Sequence, residues 1–280
     1  MKLRQIVTVL ISFIVLGHSD GWASPFQPER SAIGVQLYTD NQGNYVQAIN
    51  LSQGAAIRFL FGASSPGTTT AAYGGKSPSF RVQDLQNYWE ELQIRDTIRA
   101  FSVCNGQFFG GKDAIELAFP VKEDGQWITT GYAGASEFPH EKAMLGIRDQ
   151  SAEIIPLPEE INLSTNILPY DQAIVGIQVN GGMDSITWYS KAPFELRPRT
   201  FLGIADSDRN GTNETILILT TTAQTQLGAA GVLERFGATA VMMLDGGGST
   251  QLMVQGETRL RSADPTPRQI PQAIGVFSGF

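Results

Sequence analysis

The sequence predicts an α+β fold: a single domain of mixed, largely antiparallel short-strand sheet with two principal helices. Three observations point there. Apolar residues fall mostly in short alternating or continuous runs bounded by Gly, Asn and Asp, the pattern of strands and their turns. Two stretches, around 82–95 and 222–236, space their apolar residues as a helix does. The chain of 280 residues shows no internal repeat and no interdomain linker.

In chain order, Met1-Lys2-Leu3-Arg4-Gln5 is a short basic segment and Ile6 to Gly17 an apolar one. Gly21-Trp22-Ala23 then offers the small residues of a signal-peptidase site. Residues 1–23 are therefore expected to be a cleaved secretory signal, leaving 24–280 as a secreted or periplasmic protein. Gly34 to Tyr38 and Tyr45 to Ile49 alternate about an Asn41-Gln42-Gly43-Asn44 turn and read as a hairpin, with Ile57 to Phe61 the next strand. Ser64 to Pro78 is a Gly/Ser/Thr/Pro-rich loop. A helix over Val82–Arg95 leads into a strand, Ile98 to Cys104, which runs straight into Asn105-Gly106-Gln107-Phe108-Phe109. Ile115–Phe119, Trp127–Thr130 and Ala143–Ile147 are short strands, and Ile174–Val179 is another, ending in Asn180-Gly181-Gly182-Met183-Asp184. Arg199 and Thr200 open a strand to Ala205, paired through a hairpin loop with Glu214–Leu219. That loop, Asp206-Ser207-Asp208-Arg209-Asn210-Gly211, begins as a calcium loop does, but Leu217 stands where an EF-hand places its closing acid. The second helix, Thr222–Phe236, stops at Gly237. Strands at 241–244, 253–254 and 273–277 complete the chain.

Composition removes several function classes. Loss of the signal takes the formal charge from −7 to −8, with charges dispersed, so neither nucleic acid nor, after signal cleavage, a membrane surface is an expected partner. A single cysteine, Cys104, precludes an intrachain disulfide, and its apolar surroundings suggest an inert thiol. Of the two histidines, His18 lies in the signal and His140 in a loop, so triads and His-rich metal sites lack material. No ligand set for a metal is legible and no cofactor is expected.

The sharpest feature is Val241-Met242-Met243-Leu244-Asp245-Gly246-Gly247-Gly248-Ser249-Thr250. A buried strand ends in an acid, three glycines and two hydroxyls. Glycine in a regular element costs roughly 1 kcal/mol against alanine, so a run of them marks positive φ or close backbone approach to a ligand. Asn105-Gly106 after the earlier strand repeats the arrangement with an amide in place of the acid.

Four ordered motifs resemble the phosphodiester glycosidase family. They are Asn105-Gly106-Gln107-Phe108-Phe109, Arg199-Thr200-Phe201-Leu202-Gly203, Leu244 to Ser249, and Arg268 to Val276. Three positions depart from the family pattern: Gln107 replaces a glycine, Met243 stands where Asn is frequent, and Gln272 where Asn is common. The resemblance implies cleavage of a sugar-1-phosphodiester at the anomeric carbon, with a sugar-phosphate or glycan substrate; bacterial members are associated with exopolysaccharides. Asp245 is then the catalytic carboxylate and Arg199 the anion holder. The N–H groups of Gly246, Gly247 and Gly248 stabilise phosphate, and Asn105, Gly106, Thr200 and Ser249 bind substrate. Asp184, Asp206 and Glu116 are open candidates for a second carboxylate. The competing reading is a non-catalytic extracytoplasmic carbohydrate- or exopolysaccharide-binding protein. Nucleotide binding is disfavoured, since neither Gly-Lys-[Ser/Thr] nor G-x-G-x-x-G occurs.

Overall fold

The computed structural model describes residues 25–134, 136–165, 168–179 and 192–280. The expected signal and the Asn180–Asp184 turn lie outside them. The architecture is α+β, with strands in three sheets and, among the described residues, two α-helices, Leu85–Arg95 and Gln226–Arg235.

The 11-stranded sheet has at its centre Thr215–Gln224, Arg197–Ala205, Ala240–Met243 and Gln172–Gln178, in that order. The 5-stranded sheet runs Glu257–Leu260, Leu252–Val254, Ala100–Asn105, Gln272–Phe277, Ala56–Phe61. A small sheet joins Ser64–Ser65, Ser79–Phe80, Glu116–Leu117 and Phe109–Gly110. The central pairings are antiparallel, as Phe201 opposite Met243 and Ile274 opposite Cys104 illustrate.

Period-two alternation explains how these sheets stack, because successive side chains leave a strand on opposite faces. Leu202, Ile204, Ile216, Ile218 and Met242 pack with Phe101, Ile274 and Val276 in a core between the two larger sheets. The intervening Phe201, Leu217, Leu219, Val241 and Met243 face the other way, against Ala229, Ala230 and Leu233 of Gln226–Arg235. Leu85, Tyr88, Trp89 and Leu92 of Leu85–Arg95 cover the outer face of the 5-stranded sheet through Leu60, Val103 and Ala273. The result is helix, sheet, sheet, helix. At about 25 cal/mol per Å² of apolar surface, burial of side chains as large as these is the main stabilising term.

Several boundaries differ from the sequence expectation for local reasons. Ile98 is 94% exposed, because Asp96 Oδ1 accepts from the Ile98 and Arg99 amides and delays the strand to Ala100. Thr221 donates to Asn44 Oδ1 at 2.6 Å, extending Thr215–Gln224 into residues expected to be helical. The helix starts only after Thr225, whose hydroxyl accepts from Gly228 N at 2.9 Å. Gln27–Ala32, Val121–Glu123, Ser151–Pro156 and Glu257–Leu260 are additional strands.

Candidate functional site

Ala240–Met243 lies between Arg197–Ala205 and Gln172–Gln178 and delivers Asp245 at its C-terminal end. Leu244 N donates to Thr200 O at 2.9 Å, whereas Asp245 N donates to Gly106 O at 3.1 Å. Within one residue the chain steps from the middle of the larger sheet to the end of the smaller one. Asn105 secures that step. Its Nδ2 donates to Asp245 O at 2.7 Å, and its Oδ1 accepts from Thr200 Oγ1 at 2.7 Å and from Gln251 N at 3.3 Å. Asn105 and Thr200 are fully enclosed, so their side chains bracket the site from behind.

In front of this bracket is a cleft of about 410 Å³ lined by Asp245, Gly246, Gly247, Arg199, Met243 and Phe108, with Glu195 and Arg197 at its margin. Asp245 is half-buried and its Oδ1 accepts from Gly246 N at 2.9 Å. Gly247 has φ +62°, with open space where a Cβ would stand, so bare backbone faces the cleft.

Arg199 is buried, and its guanidinium donates to backbone carbonyls: Nε to Gln224 at 2.6 Å, and Nη2 to Ala192 and to Glu195, the latter at 3.0 Å. Its Nη1 lies 3.7 Å from Met243 Sδ. Burial, then the neighbouring Arg197 charge, push its pKa down to about 10, with Glu195 opposing. It remains cationic at neutral pH and sets a positive wall to the cleft. Arg197, ion-paired with Glu195, adds a second, exposed guanidinium.

The remaining sequence candidates occupy other places. A Cβ on Gly106 would stand 1.9 Å from Gln272 Oε1, so that side chain covers it. A Cβ on Gly248 would meet both Asp264 carboxylate oxygens at 2.3 Å, which places Gly248 on the inner side of the loop. Ser249 is fully buried, and its Oγ has no hydrogen-bond partner among the described residues. Two of the three departures from the family pattern, Gln107 and Gln272, form one unit. Gln107 turns inward, Nε2 donating to Val175 O at 2.6 Å, while its N–H donates to Gln272 Oε1 at 2.7 Å.

Of the carboxylates considered for a second role, Asp184 lies outside the described residues. Asp206 is at the opposite end of the Arg197–Ala205 strand, accepting from the Asn210 and Gly211 amides. Glu116 lines a separate depression with Thr68, Thr69 and Tyr132. Burial would push its carboxyl up, but five donors from Thr68, Thr69 and Ser77 outweigh that and hold it at about 2. His140 is exposed in a loop, near Glu159. The Cys104 thiol is buried and pushed up to about 12 by desolvation. Sequence reasoning missed Glu195 and Arg197 as cleft residues. The one available signal was that Arg197 stands two residues before Arg199 at the mouth of the same strand.

Residues 100–277 match the family model described as phosphodiester glycosidase. Comparison with curated protein sequences gives no match. Among solved structures, the catalytic domain of zebrafish N-acetylglucosamine-1-phosphodiester alpha-N-acetylglucosaminidase, auto-inhibited by its pro-peptide, superposes with a TM-score of 0.56. The identity is 14%, over 94% of this chain and 86% of that one. A Synechocystis protein gives 0.51 at 15% identity, over 91% of this chain and 64% of that one. At such identities the two superpositions show the fold. The family model takes in more than half of the sequence, from the Asn105 strand through Arg199 and Asp245 to the final strand, and on that match the chain belongs to the phosphodiester glycosidase family.

Proposed function

We propose that the protein hydrolyses the anomeric C–O bond of a sugar-1-phosphodiester, releasing free sugar and a phosphomonoester. The observation that carries this reading is one cleft holding a half-buried carboxylate, Asp245, beside an open glycine backbone at Gly247 and a buried arginine, Arg199. Breaking the C1–O bond develops positive charge on the sugar ring and negative charge on the departing phosphate. In this reading Asp245 stabilises or attacks C1. Arg199 and Arg197 supply positive potential for the phosphate, and the Gly246–Gly247 backbone is its nearest source of N–H donors. Water supplies the new hydroxyl at C1, and the bonding pair of the broken bond leaves with the phosphomonoester. Such a leaving group is stable as an anion, which lessens the demand for a strong general acid. Asn105 and Thr200 act as positioning residues that hold the Asp245 carbonyl and the start of the arginine strand together. We further propose that residues 1–23 are removed on export, so that the mature protein starts at Ser24.

The test is hydrolysis of a panel of sugar-1-phosphodiesters by the mature protein. Free reducing sugar released by wild type and lost in Asp245→Asn supports the reading. Release of sugar-1-phosphate would overturn it in favour of phosphodiesterase chemistry. Retained binding with no turnover in wild type would move the protein to a glycan-binding role. Mass measurement of the exported protein tests the cleavage after Ala23.

A further inference from the structure

The hairpin loop after the Arg197–Ala205 strand carries a feature unrelated to the cleft. The side chains of Asp206, Asp208 and Glu214 converge there, one carboxylate oxygen from each lying within 4.8 Å of the others. Three like charges gathered so closely repel one another unless a cation or protons offset them. A second observation separates this cluster from an ordinary acidic surface. Glu214 is only 4% exposed, and its Oε2 is enclosed with no hydrogen-bond partner among the described residues. Its other oxygen, Oε1, accepts from Ser207 N at 3.0 Å, from Ser207 Oγ and from Thr215 Oγ1 at 3.2 Å, which holds the carboxylate in the loop. A buried carboxylate oxygen left without a donor is costly, of order 1–3 kcal/mol or more, unless a ligand answers it.

We propose that this loop binds one Ca²⁺. Hard cations of this size take six to eight oxygens at about 2.3–2.6 Å, so oxygens on one ion stand up to about 5 Å apart. The spacing of the three carboxylates fits that shell. The sequence Asp206-Ser207-Asp208-Arg209-Asn210-Gly211 follows the spacing of a calcium loop through its glycine, and Gly211 has φ +88°. What the pattern lacks at its twelfth position, Leu217, is supplied at its ninth by Glu214, immediately before the strand Thr215–Gln224. The tether is rigid, because Glu214 O accepts from Leu51 N at 2.8 Å and Asn213 O from Ala152 N at 2.8 Å. The ion sits at the far end of the strand whose beginning carries Arg199 and Thr200. Its role is to fasten that hairpin.

Calorimetric titration of the mature, metal-stripped protein with CaCl₂, alongside Asp208→Asn and Asp245→Asn, tests the site. Asp208 is exposed, so its isosteric change leaves folding intact. The expected result is one Ca²⁺ per chain, with a dissociation constant of roughly 10⁻⁴–10⁻³ M. Binding should persist in Asp245→Asn, weaken at least about tenfold in Asp208→Asn, and bring a calcium-dependent rise in Tm to wild type. No uptake by wild type at about 10 mM Ca²⁺ would overturn the proposal, as would unchanged uptake by Asp208→Asn. Uptake lost only in Asp245→Asn would place the ion in the cleft and equally overturn it. Equal affinity for Mg²⁺ would overturn the assignment to calcium.

Discussion

Asp245 and Arg199 share the cleft but are held differently, and their substitutions should separate. The Asp245 carboxylate is half-buried at the cleft, and an isosteric amide keeps an oxygen for the Gly246 N–H. Asp245→Asn should therefore keep the melting temperature within a degree or two while lowering kcat roughly 10²–10³-fold. Arg199 donates to carbonyls on two segments, Gln224 on one side and Ala192 and Glu195 on the other. A lysine cannot reproduce that planar fork. Arg199→Lys should lower both Tm and turnover, which thermal unfolding and steady-state kinetics on the same preparation would show. Asn105→Ala removes the partner of Asp245 O, Thr200 Oγ1 and Gln251 N at once. It should destabilise by about 1–3 kcal/mol in denaturant titration, with a loss of kcat larger than any change in KM.

At the scale of elements, the Ser64–Pro78 loop has little sheet structure of its own, and one side chain gathers its Thr68, Thr69 and Ser77. Glu116 accepts from both amides and both hydroxyls of Thr68 and Thr69, and from Ser77 Oγ. Its carboxyl is held at about 2 against an ordinary value of 4.5. The stabilisation is therefore present above pH 4.5 and is lost as pH falls toward about 2. Glu116→Gln replaces two acceptors with one and sets an amide donor against donors. Hydrogen exchange at Thr68 and Thr69 should accelerate at least about tenfold in this variant at neutral pH, while the central strands keep their protection. Unchanged exchange would mean that the loop is held by its own turns.

For the molecule as a whole, the two larger sheets are joined by a buried acid. Glu123 Oε2 accepts from Phe59 N at 2.8 Å, linking Val121–Glu123 of one sheet to Ala56–Phe61 of the other. Burial pushes its carboxyl up to about 7 from 4.5, against the pull of that amide and Arg58. The unfolded chain gives up this proton near pH 4.5 and the folded chain near 7, so stability from Glu123 is complete below 4.5 and falls as pH rises to about 7. The window is worth on the order of 3 kcal/mol. Glu123→Gln should abolish that fall and raise the urea midpoint relative to wild type above pH 7, as urea titrations across pH 4–8 would reveal. An identical pH dependence in the variant would assign the effect to another group.

Local chemistry made much of this protein legible in its sequence. Alternating apolar residues announced the N-terminal hairpin and continuous apolar runs the central strands, since a strand covered on both faces is apolar at successive positions. Helical spacing announced Leu85–Arg95, and Asp-Gly-Gly-Gly after a continuous apolar run announced a strand ending in an acid. Those signals were enough for the fold class; that Asp245 and Arg199 share a site came from the family resemblance, and the structure lines one cleft with both. Whether a side chain faces a cleft or props its wall depends on partners distant in the chain, and only the tertiary structure decided it. Asn105 and Thr200, 95 residues apart, bond to each other behind the cleft. Gln272 covers Gly106 from 165 residues beyond Gln107, whose amide it accepts. Glu195 and Arg197 reach the margin because Arg199 holds the segment before them. Glu214 completes an acidic loop whose spacing the sequence had interrupted at Leu217. The Asn105–Thr200 and Gln107–Gln272 pairings are set by sheet stacking, a long-range consequence of burying two faces of every strand, and no local window of residues contains them.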